Sequence, residues 1–372
     1  MTEWRWRGSV ALLGVCLAFF ILPLLPVYDV INSDWPAFAT GARLIVSEPG
    51  HLYDLSLQQR VEREVAGGRI LVTPGIEGIL PFLAPAWVAL LAVPFDLLGP
   101  NVGGRLWVLF GLACLLAGLY LATRPRPLTA ILPAFASVPT ALMMLNAQLD
   151  GIVALGIGAA IALWSRPYLA GLALGLTLMK PQLMLPLGAA VLVARRWKVL
   201  AGWAASGAVL LGVTLLLNPH WVLDWLQQTQ ATVAPISREV DLPHLGVLLP
   251  TGMQSVAVAL LALLAIALVL FLARLRRDDF QGAAAVLIAG GVLASPHALP
   301  ADLVLVALAL AVWGRARWFD WLGLSVAAAV CAVTPAPFPA LVGILVIGWA
   351  CLRAAGLVVR RTSPGPAPAS AG

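Results

Sequence analysis

The chain has 372 residues, of which 61% are hydrophobic and 11% are charged, and its mean hydropathy is +0.95. A soluble domain, in which roughly a quarter of the residues are charged, could not bury this much apolar surface. A disordered chain would be far more polar. Because a helix satisfies its own backbone hydrogen bonds in lipid, the composition predicts an all-α, polytopic transmembrane protein.

The net charge of +6 does not indicate a nucleic-acid partner, because the basic residues lie in short clusters between apolar runs and form no basic arm. The four cysteines lie in apolar segments without paired spacing, which predicts buried free thiols. The sequence contains no P-loop, HExxH, CxxC or Asp-x-Asp pattern, so we expect no cofactor and no metal ion.

Apolar runs follow one another along the chain, at about 9–27, 79–98, 105–123, 128–145, 149–164, 168–194, 198–217, 252–273, 281–294, 298–314, 317–334 and 338–358. At about 20 residues per crossing, they predict about 11–12 membrane helices in a single domain over residues 1–361. Arg5 and Arg7 precede the first run and no small-residue cleavage site follows it, which indicates an uncleaved helix with a cytoplasmic N-terminus. The Pro- and Ala-rich tail, 362–372, is predicted to be disordered.

Two long connections, 28–78 and 218–251, are net acidic, whereas the Arg clusters lie in other connections. The positive-inside rule therefore places both acidic connections outside, in a protein of the plasma membrane. If 168–194 is two short helices broken at Pro181, the later polar motifs also face outward. The orientation of the chain in the membrane between residues 79 and 126 is left open. The number of crossings counted there is inconsistent with the positive-inside rule.

The first acidic connection contains two segments with a mixed apolar and charged helical pattern, Pro36–Val46 and Leu55–Ala66. We expect them to lie on the membrane surface as interfacial helices. Trp35 and Tyr53 favour this placement, because such side chains suit the headgroup zone. The alternative is an ordinary capped helix within a loop.

Asp34 follows the first apolar run. An Asp at the outer membrane surface can act as a general base toward a hydroxyl nucleophile. The alternative is structural, because Ser33 or Asp34 before Pro36 is a good N-cap for the following helix. The spacing alone favours the cap.

Two further polar groups interrupt apolar runs. In the first, Asn146, Gln148 and Asp150 can bind sugar hydroxyls or can cap the next helix. In the second, Lys180 stands before Pro181 in a long apolar stretch, where an ammonium needs an anion or a wet cavity. A phosphate is a natural partner for it, and Gln182 is a neighbouring polar group. A lysine that snorkels to the membrane surface is the alternative.

The last two candidates lie far apart in the sequence. His297, in Ser295-Pro296-His297, can donate to a phosphate oxygen, and Asp302 lies near enough to share its cavity. A satisfied polar helix end is the alternative. Arg43 can clamp a phosphate with its guanidinium, although a local pair with Glu48 is the favoured interpretation.

The order of these segments resembles the GT-C membrane glycosyltransferases, and specifically glycosyltransferase family 87, the DUF2029 polyprenol-phosphate-dependent mannosyltransferases. The resemblance covers about residues 9–310 and consists of short motifs in a common order. The matching segments are Asp34-Trp35-Pro36-Ala37-Phe38 through Tyr53-Asp54, Asn146-Ala147-Gln148, Ala170-Gly171 followed by Met179-Lys180-Pro181-Gln182, and Ser295-Pro296-His297 with Asp302. The chain departs from the family's Gly-Gln pattern at Ala147.

This resemblance implies a GT-C-like fold and an inverting transfer of a hexose, mannose being the first candidate. It implies a polyprenyl-phosphate sugar donor, a lipid or glycan acceptor and surrounding membrane lipids as partners. Asp34 becomes the catalytic base, and Lys180, His297 and Arg43 become candidates for donor phosphate binding. Candidates for sugar or acceptor binding are Asn146, Gln148, Asp150, Gln182, Tyr53 and Asp302.

The main competing interpretation is a secondary transporter or flippase of a lipid-linked or small anionic substrate. Such a protein would use Lys180 and the buried acidic groups as a substrate or proton path. The clustering of the polar motifs toward one side of the membrane favours the enzyme.

Overall fold

The structure is a computed structural model that describes residues 14–17, 19–69, 80–124, 131–236, 242, 248–250 and 253–358. Every regular element in these ranges is helical, which confirms the all-α prediction. Three of the helices are long and apolar enough to cross a membrane: Pro100–Thr123, Trp197–Leu217 and Val256–Arg274. The other apolar helices found there have 10–17 residues, so several of the expected spans are short or broken. The basic N-terminus and the tail 362–372 lie outside the described residues.

We number the helices in chain order after the first apolar helix, Gly14–Leu24. They are α1 (Trp35–Ser47), α2 (Leu55–Val65), α3 (Ala86–Asp96), α4 (Pro100–Thr123), α5 (Leu132–Phe135), α6 (Val138–Leu145), α7 (Asp150–Ala162), α8 (Pro167–Leu174), α9 (Leu185–Val193), α10 (Trp197–Leu217), α11 (Trp221–Ile236), α12 (Gln254–Arg274), α13 (Phe280–Ala294), α14 (Leu303–Trp313), α15 (Trp318–Val333) and α16 (Phe338–Ala354). Short 3₁₀ helices cover Leu22–Leu24, Val30–Asn32, Pro49–His51, Gly175–Met179, Pro181–Met184 and Pro300–Asp302.

Helix α14 occupies the middle of the hydrophobic core. Every residue of this helix is buried, and α4, α7, α13, α15 and α16 all pack against it. A helix that is apolar on every side is stable only when it is surrounded. The polar residues just before α14 are therefore carried into the interior of the protein.

Glycines set the closest helix contacts. A Cβ atom on Gly151 or Gly158 of α7 would collide with a carbonyl oxygen of α4, and one on Gly171 of α8 would collide with α10. A Cβ atom on Gly175 would likewise collide with the Ser206 side chain of α10. Small residues allow backbones to approach in this way, and they hold α7 rigidly against α4.

The apolar run 168–194 does not form one continuous helix, and of the two alternatives for this run the structure shows the one broken near Pro181. α8 ends at Leu174, two 3₁₀ segments meet at Lys180, and α9 begins at Leu185. Pro181 cannot continue a helix because it lacks an N–H and its ring clashes with the preceding turn. The break leaves Lys180 outside regular helix and in the interior of the protein.

The first acidic connection folds back onto the helices. α1 and α2 match the two predicted helical segments to within a residue, but most of α1 is buried against its neighbours. The argument from Trp35 and Tyr53 was wrong, because both side chains are buried in the protein and donate to the carbonyls of Pro100 and Ala84. Placement of these helices at the membrane surface stays a prediction.

Side chains of α2 bind residues 80–82, which lead into α3 and which we call the strap. Gln58 donates to the carbonyls of Leu52 and Phe82 and accepts from the Phe82 amide at 2.9 Å. One turn later, Glu62 accepts from the Leu80 amide at 2.9 Å. The start of the second acidic connection also contacts the first, since Asn218 donates to the Pro49 carbonyl. The cysteines are buried free thiols, which confirms that prediction.

Candidate active site

Asp34 occupies the N-cap position of α1, but its carboxylate does not cap the helix. The cap bond comes from Ser33, whose hydroxyl accepts from the Trp35 amide at 3.2 Å. The Asp34 carboxylate instead accepts a hydrogen bond from the Gln148 side-chain amide. The capping role was therefore wrong for Asp34 and correct for Ser33, so the carboxylate remains available for other chemistry.

The turn that carries Gln148 lies between α6 and α7 and is bound on several sides. The Asn146 carbonyl accepts from the Asp34 amide at 3.3 Å, and the Ala147 carbonyl accepts from the Trp107 indole at 2.9 Å. Neither Asn146 nor Asp150 caps a helix through its side chain. Ala147 has φ of 51°, in the left-handed region that favours glycine. The Ala in place of the family's Gly therefore stands at a strained position, which its buried contacts maintain.

Lys180 is almost completely buried and is bound by two carboxylates. Its Nζ lies 3.0 Å from Asp150 Oδ2 and 2.5 Å from Asp302 Oδ1. The other oxygen of Asp302 accepts from the Leu299 amide at 2.7 Å. The snorkelling alternative was wrong, because Lys180 satisfies its charge inside the protein. These three residues, which we call the lysine triad, join the start of α7, the break at Pro181 and the entry to α14.

The electrostatic neighbourhood of Asp34 links it to this triad. The pKa of Asp34, which lies outside the apolar helices, is raised by burial to about 6. The charges of Lys180 and His297 oppose that increase, whereas the charge of Asp302 adds to it. The structure thus brings together six residues from four separate segments of the chain: Asp34, Gln148 with Asp150, Lys180, and His297 with Asp302.

The remaining candidates lie elsewhere or have other partners. The Arg43 guanidinium binds Asp96 of α3 at 3.1 Å, so the expected pair with Glu48 was wrong. Tyr53 packs parallel to Phe82 and Trp221 with its hydroxyl bound to a carbonyl. Gln182 and His297 are partly exposed, and the Ser295 hydroxyl accepts from the His297 amide.

Sequence reasoning missed the tryptophans that support the site. Trp107 holds the turn before α7, and Trp87 of α3 donates to the Leu178 carbonyl, two residues before Lys180, at 3.1 Å. Both lie in apolar runs, where a tryptophan is not distinguishable from ordinary lipid-facing or core residues. Among the described residues, no group of three or more His, Cys, Asp or Glu side chains is arranged to hold a metal ion.

An apolar, helical fold around a buried cluster of charged groups is typical of a membrane enzyme or transporter. A model of glycosyltransferase family 87 matches residues 82–296, more than half of the chain. The chain belongs to this family and is a membrane glycosyltransferase, so the family expected from the sequence motifs is confirmed. The matched region includes Gln148, Asp150 and Lys180. Searches of curated proteins and of solved structures gave no match.

Proposed function

We propose that the protein transfers a hexose, mannose being the first candidate, from a polyprenyl-phosphate sugar to a lipid or glycan acceptor on the outer face of the plasma membrane. The observation that carries the proposal is the Asp34 carboxylate, which is free of helix capping and lies in the electrostatic reach of Lys180 and His297. A base with a pKa near 6 is ionised at neutral pH and still basic enough to take a proton.

The proposed reaction is a single displacement. Asp34 accepts the proton of the acceptor hydroxyl while that oxygen attacks the anomeric carbon of the donor. The bond between this carbon and the phosphate oxygen breaks, and polyprenyl phosphate leaves with the electron pair. Because the nucleophile enters opposite the leaving group, the anomeric configuration inverts.

Lys180 and His297 are the cationic and proton-donating groups proposed to face the leaving phosphate. An ammonium has three N–H donors, and the two carboxylates of the lysine triad use two of them. The third can donate to a phosphate oxygen as its charge grows.

Binding of the sugar is assigned to the polar groups that remain. Asn146 and Gln182 are both partly exposed, as sugar ligands must be. Asp150 and Asp302 act in this proposal by holding Lys180. Arg43 and Tyr53 are left out, because Asp96 and the Ala84 carbonyl already bind their polar atoms.

An apolar cavity of about 220 Å³ supports a lipid-linked donor. It is lined by α12 residues, among them Leu261 and Leu268, and by Ser295 and Pro296. The same two residues lead directly to His297. An isoprenoid chain in this cavity would therefore have its phosphate end next to the proposed site.

The experiment is a transfer assay on the purified protein in nanodiscs. Labelled polyprenyl-phosphate mannose and a membrane glycolipid extract are incubated with wild type, with Asp34→Asn and with the control Asp29→Asn. Asp29 lies in the same segment, is exposed and pairs with Arg69. Asparagine keeps a side-chain oxygen that can accept from the Ile31 amide, as Asp29 does, so the replacement mainly removes a surface ion pair.

We expect product from wild type and from Asp29→Asn, and a loss of about 100-fold or more for Asp34→Asn. Equal product from Asp34→Asn would overturn the base assignment. If wild type makes no product, the assay is repeated with other polyprenyl-linked sugars. Failure with all of them would reject the proposed donor class.

A further inference from the structure

We propose that Gln148 is a positioning residue for the Asp34 carboxylate and not a ligand of the sugar. The inference rests on the proposed role of Asp34 as the base. The Gln148 Nε2 donates to Oδ2 of Asp34, and this bond leaves Oδ1 to receive the proton of the acceptor hydroxyl. The side chain of Gln148 is itself buried, unlike those of Asn146 and Gln182.

The backbone around Gln148 is held before any substrate binds. Its amide donates to the Met143 carbonyl at 2.9 Å, and the Tyr28 hydroxyl donates to the Met144 carbonyl at 2.7 Å. α7 begins two residues after Gln148 and meets α4 through Gly151. A donor fixed in this way holds its carboxylate partner in one orientation at no further entropic loss during the reaction.

Two hydrogen bonds join Asp34 to the turn before α7. The Asp34 amide donates to the Asn146 carbonyl, while the Asp34 carboxylate accepts from the Gln148 side chain. Asp34 is thus bound to the turn through main chain and side chain together. This double attachment leaves the carboxylate little freedom to rotate away from the acceptor.

An amide suits this role because it donates without carrying charge. A hydrogen bond to the ionised carboxylate favours that form and opposes the effect of burial on its pKa. A cation at position 148 would form an ion pair and weaken the base, and a carboxylate would repel it. The charged and titratable groups that act on Asp34 from neighbouring segments are Lys180, His297 and Asp302.

The test uses the pH dependence of kcat/KM for wild type, Gln148→Met and Gln182→Met. Methionine keeps the approximate size of glutamine and removes its donor. Wild type is expected to lose activity as the pH falls through about 6, because Asp34 becomes protonated. In Gln148→Met the acidic limb is expected to move upward by about one half to one pH unit, and kcat to fall by about tenfold or more.

Gln182→Met is the comparison, because it removes a proposed ligand of the sugar. Loss of such a ligand is expected to raise KM for the donor without moving the acidic limb. Should Gln148→Met show that pattern too, Gln148 binds sugar and the positioning role is wrong. A second variant, Gln148→Glu, keeps the side-chain shape and is expected to move the acidic limb further upward. An unchanged acidic limb in Gln148→Glu would overturn the proposal even if Gln148→Met does not fold.

The two levels of the proposal fail differently. An active Asp34→Asn protein rejects the base, and with it the role of Gln148. An inactive Asp34→Asn protein together with an unmoved acidic limb in the Gln148 variants rejects only the positioning role.

Discussion

Lys180 is a residue that an apolar environment tolerates only because of its partners. Placing an ammonium in the middle of a membrane helix costs on the order of 3 kcal/mol even on insertion scales. Here Asp150 and Asp302 both bind it, and both are buried themselves. The charge is therefore part of the folded structure as well as of the proposed reaction.

Replacing Lys180 with Met leaves two buried carboxylates without a cation. We expect the free energy of unfolding to fall by about 3–5 kcal/mol, because breaking a buried pair strands the remaining charge. Thermal unfolding of the detergent-solubilised protein measures the effect. The matched control is Lys198→Met, since Lys198 is the other lysine of the chain and is exposed.

The control is expected to change stability by less than about 0.5 kcal/mol. The double variant Asp150→Asn/Lys180→Met is expected to recover part of the loss, because it removes one of the stranded charges. Equal melting temperatures for Lys180→Met and wild type would show that the lysine triad does not stabilise the fold.

The elements place the site through close backbone contacts as well as through the side-chain bonds from Trp107 and Trp87. α7 starts at Asp150 and touches α4 along a face of glycines, so its position decides where the preceding turn presents Gln148. The break before α9 similarly decides where Lys180 stands. Small changes in helix packing should therefore appear as losses of activity.

Gly151→Ala tests this expectation. The added Cβ collides with the Gly111 carbonyl oxygen of α4, so α7 must shift, with a loss of about 1–3 kcal/mol in stability. We expect lower transfer activity as well. Gly212→Ala in α10 is the control, because nothing lies within 4 Å of the added atom. In that helix alanine is expected to be neutral or to stabilise by up to about 1 kcal/mol. An undiminished Gly151→Ala protein would contradict the close packing.

At the scale of whole elements, the positions of most helices could be predicted from the sequence. Apolar runs, Pro181 and the charged segments of the first connection are local signals, and the helices follow them. The partners of Lys180 and Arg43 could not be predicted. Asp150 is 30 residues from Lys180, Asp302 is 122 residues away, and Asp96 is 53 residues from Arg43. Such pairs depend on which helix ends meet in space.

The whole molecule is held together partly by polar groups outside the apolar helices. α2 binds the strap at residues 80–82 through Gln58 and Glu62. Burial raises the pKa of Glu62 to about 7, although the bond from the Leu80 amide opposes that increase. In the folded protein this carboxyl therefore holds its proton more tightly than in the unfolded chain, where its pKa is near 4.5.

A raised pKa contributes stability that is fully present below the unfolded value and is lost as the pH rises through the folded value. We expect the melting temperature of wild type to fall between about pH 5 and pH 8. In Glu62→Gln this fall should be smaller, because glutamine does not ionise and still accepts from the Leu80 amide. Glu64→Gln is the control, since Glu64 is exposed. An identical pH dependence in Glu62→Gln and wild type would rule out this contribution.

By itself, the sequence determined the solvent in which this protein folds, its helical class, the broken segment at Pro181 and, through short motifs in order, its family. These properties follow from composition and local pattern. A chain in lipid must satisfy its backbone hydrogen bonds internally, as a helix does, and proline interrupts a helix. Only the tertiary structure decided that Ser33 caps α1, that Gln148 binds Asp34 and that Lys180 lies between Asp150 and Asp302. The Ser33 bond is local, but its choice over Asp34 depends on the partner that Asp34 finds in Gln148. The other contacts join chain segments whose proximity is produced by helix packing, and the packing energy is summed over the entire core.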